Sequence, residues 1–101
     1  MDKSKRRTVI AGNWKMNKTP SEARTLACEI AKALEGLDTC DCVDVVVCVP
    51  FVDICTVAEA LKGTRIKIGA QNVHFKKSGA YTGEISAPML AECGVTHVVV
   101  G

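Results

Sequence analysis

The stretch "DVVVCVP", residues 44–50, is an unbroken run of β-branched and other apolar residues between an aspartate and a proline. A strand with one solvent-exposed face alternates polar and apolar residues, and this run contains no such alternation. Continuous apolar strands are typical of parallel sheets, in which helices cover both faces. The run therefore predicts a buried strand at the centre of an α/β protein.

Strand and helix patterns alternate on both sides of this run. We expect strands over residues 8–12, 44–50, 66–70 and 97–100. The first helix should begin at a capping box of Thr19 and Glu22, with Pro20 at its first position, and end in a left-handed cap at Gly36. A second helix over residues 54–61 ends before Gly63, and a short third one runs from 86 to 93. Such alternation predicts a parallel sheet with right-handed crossovers.

The alternation alone fits either an open doubly wound sheet or part of a closed barrel. No G-x-G-x-x-G motif follows the first strand, where Gly12 stands alone. A flavodoxin-like or nucleotide-binding domain would need a phosphate-cradling glycine loop, so this rival is disfavoured. No repeat or low-complexity linker interrupts the 101 residues, and we expect one domain.

Composition argues against several classes of partner. The chain is 48% hydrophobic, enough for a core, and its formal net charge is only +2. Four of the 13 basic residues fall in the first seven positions, which we expect to be a frayed end rather than a nucleic-acid-binding surface. No run approaches the roughly 20 apolar residues of a membrane helix, and no secretory signal is evident.

The six cysteines show no Cys-x-x-Cys spacing, so a zinc or redox motif has no support. Cys48 lies in the apolar strand, and Cys28 and Cys55 lie in helical patterns. The remaining three are Cys40, Cys42 and Cys93. We expect buried, reduced thiols in a cytoplasmic protein with no metal site.

The stretch "AGNWKMN", residues 11–17, carries the clearest candidate site. Asn13 and Lys15 follow the first strand, and ligands of parallel α/β proteins gather at the carboxyl ends of strands. A lysine beside an amide offers a fixed cation and hydrogen bonds to an anionic substrate. Trp14 could pack against the core and hold the turn. The alternative is a solvated loop lysine next to a core tryptophan.

Three stretches, in the same order along the chain, resemble the triosephosphate isomerase family: "AGNWKMN", "GAQNVHFKKSGAYTGEIS" (69–86) and "GVTHVVVG" (94–101). The resemblance implies a (β/α)₈ TIM barrel, with residues 1–101 as the N-terminal part of its single domain and strands 1 to 4. It also implies a cytoplasmic homodimer. The implied reaction interconverts dihydroxyacetone phosphate and D-glyceraldehyde 3-phosphate through an enediolate, without a cofactor, in glycolysis and gluconeogenesis.

The family pattern also assigns roles to individual positions. Lys15 would be catalytic, holding the anionic substrate and stabilising the enediolate, and Asn13 would bind substrate beside it. The loop over residues 71–86 would enter a pocket of a second copy, close to its Lys15. The implied dimer-interface residues are Met16, Tyr81, Thr82, Gly83 and Glu84.

Other catalytic groups of the family have no counterpart in the sequence. The family's histidine follows the glycine that matches Gly101, and its glutamate base lies further on. His74 and His97 are interpreted as structural, and Glu84 as a structural or interface carboxylate. We therefore expect a partial polypeptide that is inactive alone: either a separate C-terminal segment completes it, or it is one part of a longer enzyme. The alternative is a non-catalytic anion-binding α/β fragment or assembly module, which an activity assay would distinguish.

Overall fold

The computed structural model describes residues 6–37 and 43–101, which form a four-stranded parallel sheet with its helices. The elements in chain order are β1 (Thr8–Asn13), α1 (Pro20–Glu35), β2 (Val43–Val49), a 3-10 turn (Phe51–Asp53), α2 (Ile54–Ala60), β3 (Lys67–Ala70), α3 (Ala87–Glu92) and β4 (Val95–Val98). The strand order in the sheet is β1-β2-β3-β4. The predicted βα alternation and parallel sheet are confirmed.

The core forms around β2, as the apolar run predicted. Four successive residues, 46–49, are all buried, so both faces of the strand are covered. Ala23 and Ala27 of α1 and Ile54 and Val57 of α2 belong to the same buried cluster as Val49. The two alanines present little side chain, which lets α1 approach the core closely. Burial of the β-branched side chains supplies the main driving force for this packing.

The first helix begins as predicted and ends differently. The main-chain N–H of Glu22 donates to Thr19 Oγ1 at 3.4 Å, and that of Thr19 donates to Glu22 Oε1 at 3.0 Å, which completes the capping box. Gly36 has φ −88°, so the predicted left-handed cap is wrong. Because that φ is open to any residue, the glycine is not required there.

The fourth strand lies earlier in the chain than predicted. It covers Val95–Val98 rather than residues 97–100. The register shifts between Ile68 and Gly69, so that Thr96 is an extra residue opposite β3. Val99 N–H still donates to Ala70 O at 2.9 Å, but β3 ends at Ala70 and offers no further partner. The apolar pattern of residues 97–100 did not reveal where the neighbouring strand stops.

The basic N-terminal stretch is not wholly a frayed end. The Arg7 guanidinium donates to both carboxylate oxygens of Asp44, at 2.9 and 3.0 Å, beside β2. This hydrogen bond holds the pKa of Asp44 below its ordinary value of 3.8. The expectation for Lys3 and Lys5 falls outside the described residues, as do Cys40 and Cys42.

The described cysteines, Cys28, Cys48, Cys55 and Cys93, are free thiols. Only Cys48 is buried, so the predicted burial of Cys28 and Cys55 is wrong. The helical pattern placed both on helices, but their side chains lie on exposed sides of α1 and α2. Within residues 6–37 and 43–101, no helix combines the length and apolarity needed to cross a membrane.

Candidate functional site at the carboxyl end of the sheet

The turn that follows β1 is built by asparagine side chains. Lys15 and Lys18 adopt the left-handed region, with φ of 56° and 83°. The main-chain N–H of Lys15 donates to Asn13 Oδ1 at 2.9 Å, and Asn17 Nδ2 donates to the carbonyl of Trp14 at 2.6 Å. Side-chain amides thus bond to main-chain groups that have no partner in a neighbouring strand. These hydrogen bonds stabilise the turn.

Trp14 connects this turn to the core. Its main-chain N–H donates to the carbonyl of Cys48 at 3.0 Å, which extends the β1–β2 ladder one residue beyond β1. The indole is half-buried and packs against the core cluster. The tryptophan therefore fixes where the turn leaves the sheet, as its position in the sequence indicated.

Gln71, directly after β3, joins the ends of three strands, and the sequence did not single it out. Its Nε2 lies 2.9 Å from the carbonyl oxygen of Lys15, 3.1 Å from that of Cys48 and 3.3 Å from Asn13 Oδ1. One amide nitrogen with two protons thus serves three acceptors, so at least one proton is shared. The one feature of the sequence that could have identified Gln71 as a site residue was its position at the end of a parallel strand.

The Lys15 ammonium group is available for an anion. Lys15 is exposed, and no carboxylate of the described residues forms an ion pair with it. Its backbone is nevertheless held by Asn13 and Gln71. A cation on a fixed backbone is suited to bind an anionic oxygen without first breaking an internal ion pair.

The loop over residues 71–86 folds back on itself. His74 N–H donates to the carbonyl of Ile85 at 2.7 Å, and Glu84 N–H donates to that of Tyr81 at 2.9 Å. The ring centroids of Tyr81 and His74 lie 4.3 Å apart. Gly79 and Gly83 have φ of 140° and 88°, which a side-chain-bearing residue would adopt only under strain. The loop is therefore closed at its base, with an exposed tip.

The other residues to which the sequence analysis assigned a role lie around this loop, around the turn or in β4. Glu84 Oε2 lies 3.7 Å from His74 Nδ1 and 3.5 Å from Asn72 Nδ2. Met16 is 94% exposed, and Thr82 and Gly83 lie at the exposed tip. His97 lies within β4 opposite Gly69, with Nδ1 2.7 Å from Thr96 Oγ1. The hydrogen bonds that hold the Lys15 turn involve neither histidine.

The described part of the chain brings together no group of three or more His, Cys, Asp or Glu residues that could hold a metal ion. What the turn offers is the Lys15 cation, with the amide groups of Asn13 and Gln71 beside its backbone. This set can bind an anion and stabilise negative charge that develops on it. It contains no group placed to exchange a proton with carbon.

Comparison with known proteins shows which family the chain resembles. The family model of triosephosphate isomerase matches residues 8–101. The triosephosphate isomerase of Acetivibrio thermocellus is 52% identical over 96 residues, covering 95% of this chain and 37% of that protein. That of Caldanaerobacter subterraneus subsp. tengcongensis is 53% identical, with the same coverage.

A solved structure gives the same result at the level of the fold. The crystal structure of triosephosphate isomerase from Bartonella henselae superposes with a TM-score of 0.80 at 40% identity. The superposition covers 94% of this chain and 38% of that one. The four strands and their helices therefore correspond to the first half of a TIM barrel. The chain spans less than two fifths of the length of these relatives.

Proposed function

This chain belongs to the triosephosphate isomerase family, and we propose that it forms the N-terminal part of a single TIM-barrel domain that interconverts dihydroxyacetone phosphate and D-glyceraldehyde 3-phosphate. The relatives carry that enzyme's name, and the match extends over residues 8–101. On this proposal the protein works in the cytoplasm, in glycolysis and gluconeogenesis.

The observation that carries the proposal is the position of Lys15. Its turn stands at the carboxyl end of β1, and Gln71 links that turn to the ends of β2 and β3. We assign Lys15 the role of holding the anionic substrate and stabilising the negative charge of the enediolate. Asn13 would bind substrate beside it. A preorganised cation is effective in this role because it need not reorganise as charge develops.

The proton-transfer groups would come from outside this chain. His97 lies inside β4 and His74 lies in the 71–86 loop, bonded to Ile85 and near Glu84. By the family pattern, a histidine and a glutamate base would be supplied by a C-terminal segment. The 101-residue chain would then be inactive alone. The active site would be complete only when that segment is present.

The role of Lys15 can be tested in a complete barrel. In the chimera that we suggest, residues 8–101 replace the matching segment of the Acetivibrio thermocellus enzyme. Lys15→Ala should lower turnover by roughly 100-fold or more, because it removes a charge beside the transition state. Lys18→Ala is the matched control, since Lys18 is also exposed and also has positive φ in the same turn. Equal activities of the two variants would refute the assignment.

A second assay separates the enzyme from the rival interpretation. The purified chain, freed of host isomerase, should show no isomerase activity, and adding the C-terminal segment of the Acetivibrio thermocellus enzyme should restore it. A non-catalytic anion-binding fragment or assembly module would bind inorganic phosphate through Lys15 and gain no activity from the segment. Activity of the chain alone would overturn the view that it lacks the proton-transfer groups.

We also propose a homodimer formed through the 71–86 loop. The interface would include Met16, Tyr81, Thr82, Gly83 and Glu84, with the loop tip of one copy near Lys15 of the other. The high exposure of Met16 and the closed base of the loop support this arrangement. Each copy would use the same surface, as in a two-fold contact.

Removing residues 79–83 from the chimera should yield monomers with much lower activity, since the tip would no longer support the partner's turn. Sedimentation and a rate assay measure both effects. Lys77→Ala, in the same loop but outside the tip, serves as the control. A dimer of normal activity after removal of the tip would show that the loop does not form the interface.

A further inference from the structure

Two thiols, one on α2 and one directly after α3, face each other. Cys55 is the second residue of α2, and Cys93 directly follows α3. Their Sγ atoms are 3.9 Å apart, although 38 positions separate them in the sequence. Cys55 is exposed, and Cys93 is half-buried and packs against the core. Cysteine spacing does not indicate this pair, because no Cys-x-x-Cys motif links the two residues.

We propose that Cys55 and Cys93 form a reversible disulfide by exchange with small-molecule disulfides such as glutathione disulfide. A disulfide bond is about 2.05 Å long, so the two sulfurs must approach by about 2 Å. Both residues lie at helix ends rather than within a strand of the sheet, and we expect rotation of the two side chains to bring the sulfurs together. The site is separate from the Lys15 turn and independent of the proposed isomerase activity.

The exposure of the two thiols sets the order of events. The Cys55 thiolate attacks the small disulfide, forming a mixed disulfide and releasing one small thiolate. Cys93 then loses its proton to solvent and attacks Cys55 Sγ, which expels the second small thiolate. Two protein thiols are oxidised, and one small disulfide is reduced to two thiols, so electrons and protons balance.

The environment of Cys93 supports its second place in this order. The hydrogen bond with Cys55, and then burial, raise the pKa of the Cys93 thiol above its ordinary value of 9.0. A thiol held protonated is a poor first nucleophile in solution. Once Cys55 carries a mixed disulfide, the neighbouring Cys93 has the advantage of proximity.

The other described cysteines are less suited to pair with Cys93. Cys48 is buried in β2, and its Sγ packs over Gly69. Cys28 lies on the exposed side of α1. A Cys55–Cys93 bond would also enclose β3 and the whole 71–86 loop between two tethered ends. Closing a loop of this length restricts the unfolded chain, so oxidation should make the protein harder to unfold.

The test is a redox titration of the full chain. The reduced chain is equilibrated in mixtures of glutathione and glutathione disulfide, its free thiols are alkylated, and its peptides are analysed by tandem mass spectrometry. We expect one main cross-link, Cys55 to Cys93, with a mass lower by two hydrogens and reversal by dithiothreitol. The urea midpoint of the oxidised chain should be higher than that of the reduced chain.

Three variants make the outcome specific. Cys55→Ser and Cys93→Ser should each abolish the cross-link and the shift in urea midpoint, whereas Cys28→Ser, which removes an exposed cysteine outside the pair, should retain both. Oxidation repeated in urea, where the chain is unfolded, should give a mixture of different cysteine pairs. The same titration on the chimera tests the pair in a complete barrel. The proposal is overturned if Cys55 and Cys93 stay fully alkylatable in both proteins, or if Cys93 pairs equally with other cysteines.

Discussion

The side-chain amide of Gln71 donates to the main-chain carbonyl of Lys15 at 2.9 Å, across 56 positions of sequence. Lys15 has a φ of 56°, a conformation that a residue with a side chain adopts at a cost. The hydrogen bond from Gln71 and the one that Lys15 N–H donates to Asn13 hold it there. The position of the candidate cation is thus decided partly by a residue at the end of another strand.

Gln71→Leu in the chimera should lower turnover by roughly 10- to 100-fold, because small misplacement of a binding group costs that much. The substitution keeps the size of the side chain and removes both amide protons. If Gln71 acts by positioning Lys15, the same change in the Lys15→Ala background should have little further effect on turnover. A full, additive loss in that background would instead assign Gln71 its own contact with substrate.

The packing of Gly69 against Cys48 gives a prediction about the sheet. A Cβ on Gly69 would lie 2.6 Å from Cys48 Sγ and 3.3 Å from Val46 Cγ1. Gly69→Ala should therefore lower the free energy of unfolding by about 1–3 kcal/mol through overpacking. Gly12→Ala, in open space on β1, is the control and should change it little. Urea unfolding of the chain measures both.

Shortening the opposing side chain should relieve this clash. In the Cys48→Ala background, Gly69→Ala should cost less than it does alone, giving a coupling on the order of 1 kcal/mol in a double-mutant cycle. Strict additivity of the two changes would show that the glycine is required for another reason.

Asp53 should make the folded chain less stable as pH rises, the reverse of the usual effect of an aspartate. It is fully buried, and neither carboxylate oxygen has a hydrogen-bond partner in the described structure. Burial, and then the charge of Glu22, raise the pKa of Asp53 above its ordinary value of 3.8. The folded state therefore binds this proton more tightly than the unfolded state, and stability is lost as pH rises through the raised value.

Asp53→Asn cannot ionise, so its stability relative to the parent chain should increase between acidic and neutral pH. Urea midpoints measured across that range test the direction. An Asn variant that loses stability relative to the parent as pH rises would mean that the ionised carboxylate has a stabilising partner.

Glu22 should act in the opposite direction. The main-chain N–H of Thr19, and then its hydroxyl, lower the pKa of Glu22 below its ordinary value of 4.5. The resulting stabilisation is present above pH 4.5 and is lost as pH falls through the folded value. Because the Glu22 charge also affects Asp53, Glu22→Gln is best tested in the Asp53→Asn background. There, helix content followed by circular dichroism should lose part of its acid sensitivity; an unchanged acid transition would contradict this.

Local signals in the sequence predicted most of the architecture. The run of residues 44–50 identified the buried strand, and Thr19, Pro20 and Glu22 identified the start of α1, because these patterns act within one element. The end of β4 depended on where β3 stops. The extra residue Thr96 depended on the register between these two strands. Such pairing information is not contained in the periodicity of a single segment.

The same distinction explains the candidate site. Asn13 and Lys15 stood out because they follow a strand and share one turn. Gln71 did not, because its three acceptors come from β1, β2 and the turn between β1 and α1, all distant in sequence. Likewise, the Cys55–Cys93 contact arises only when α2 and α3 are packed on the sheet.

The strand order of the sheet, which follows the order of the chain, has a consequence for biosynthesis. Every strand after β1 pairs with the strand made just before it, so its partner has always left the ribosome first. At typical rates of translation, β4 emerges on the order of ten seconds after β1, which leaves ample time for each pairing. We expect the sheet to grow on the ribosome by adding one strand at a time to an existing edge. Nascent chains arrested after each successive strand should then become resistant to protease in steps.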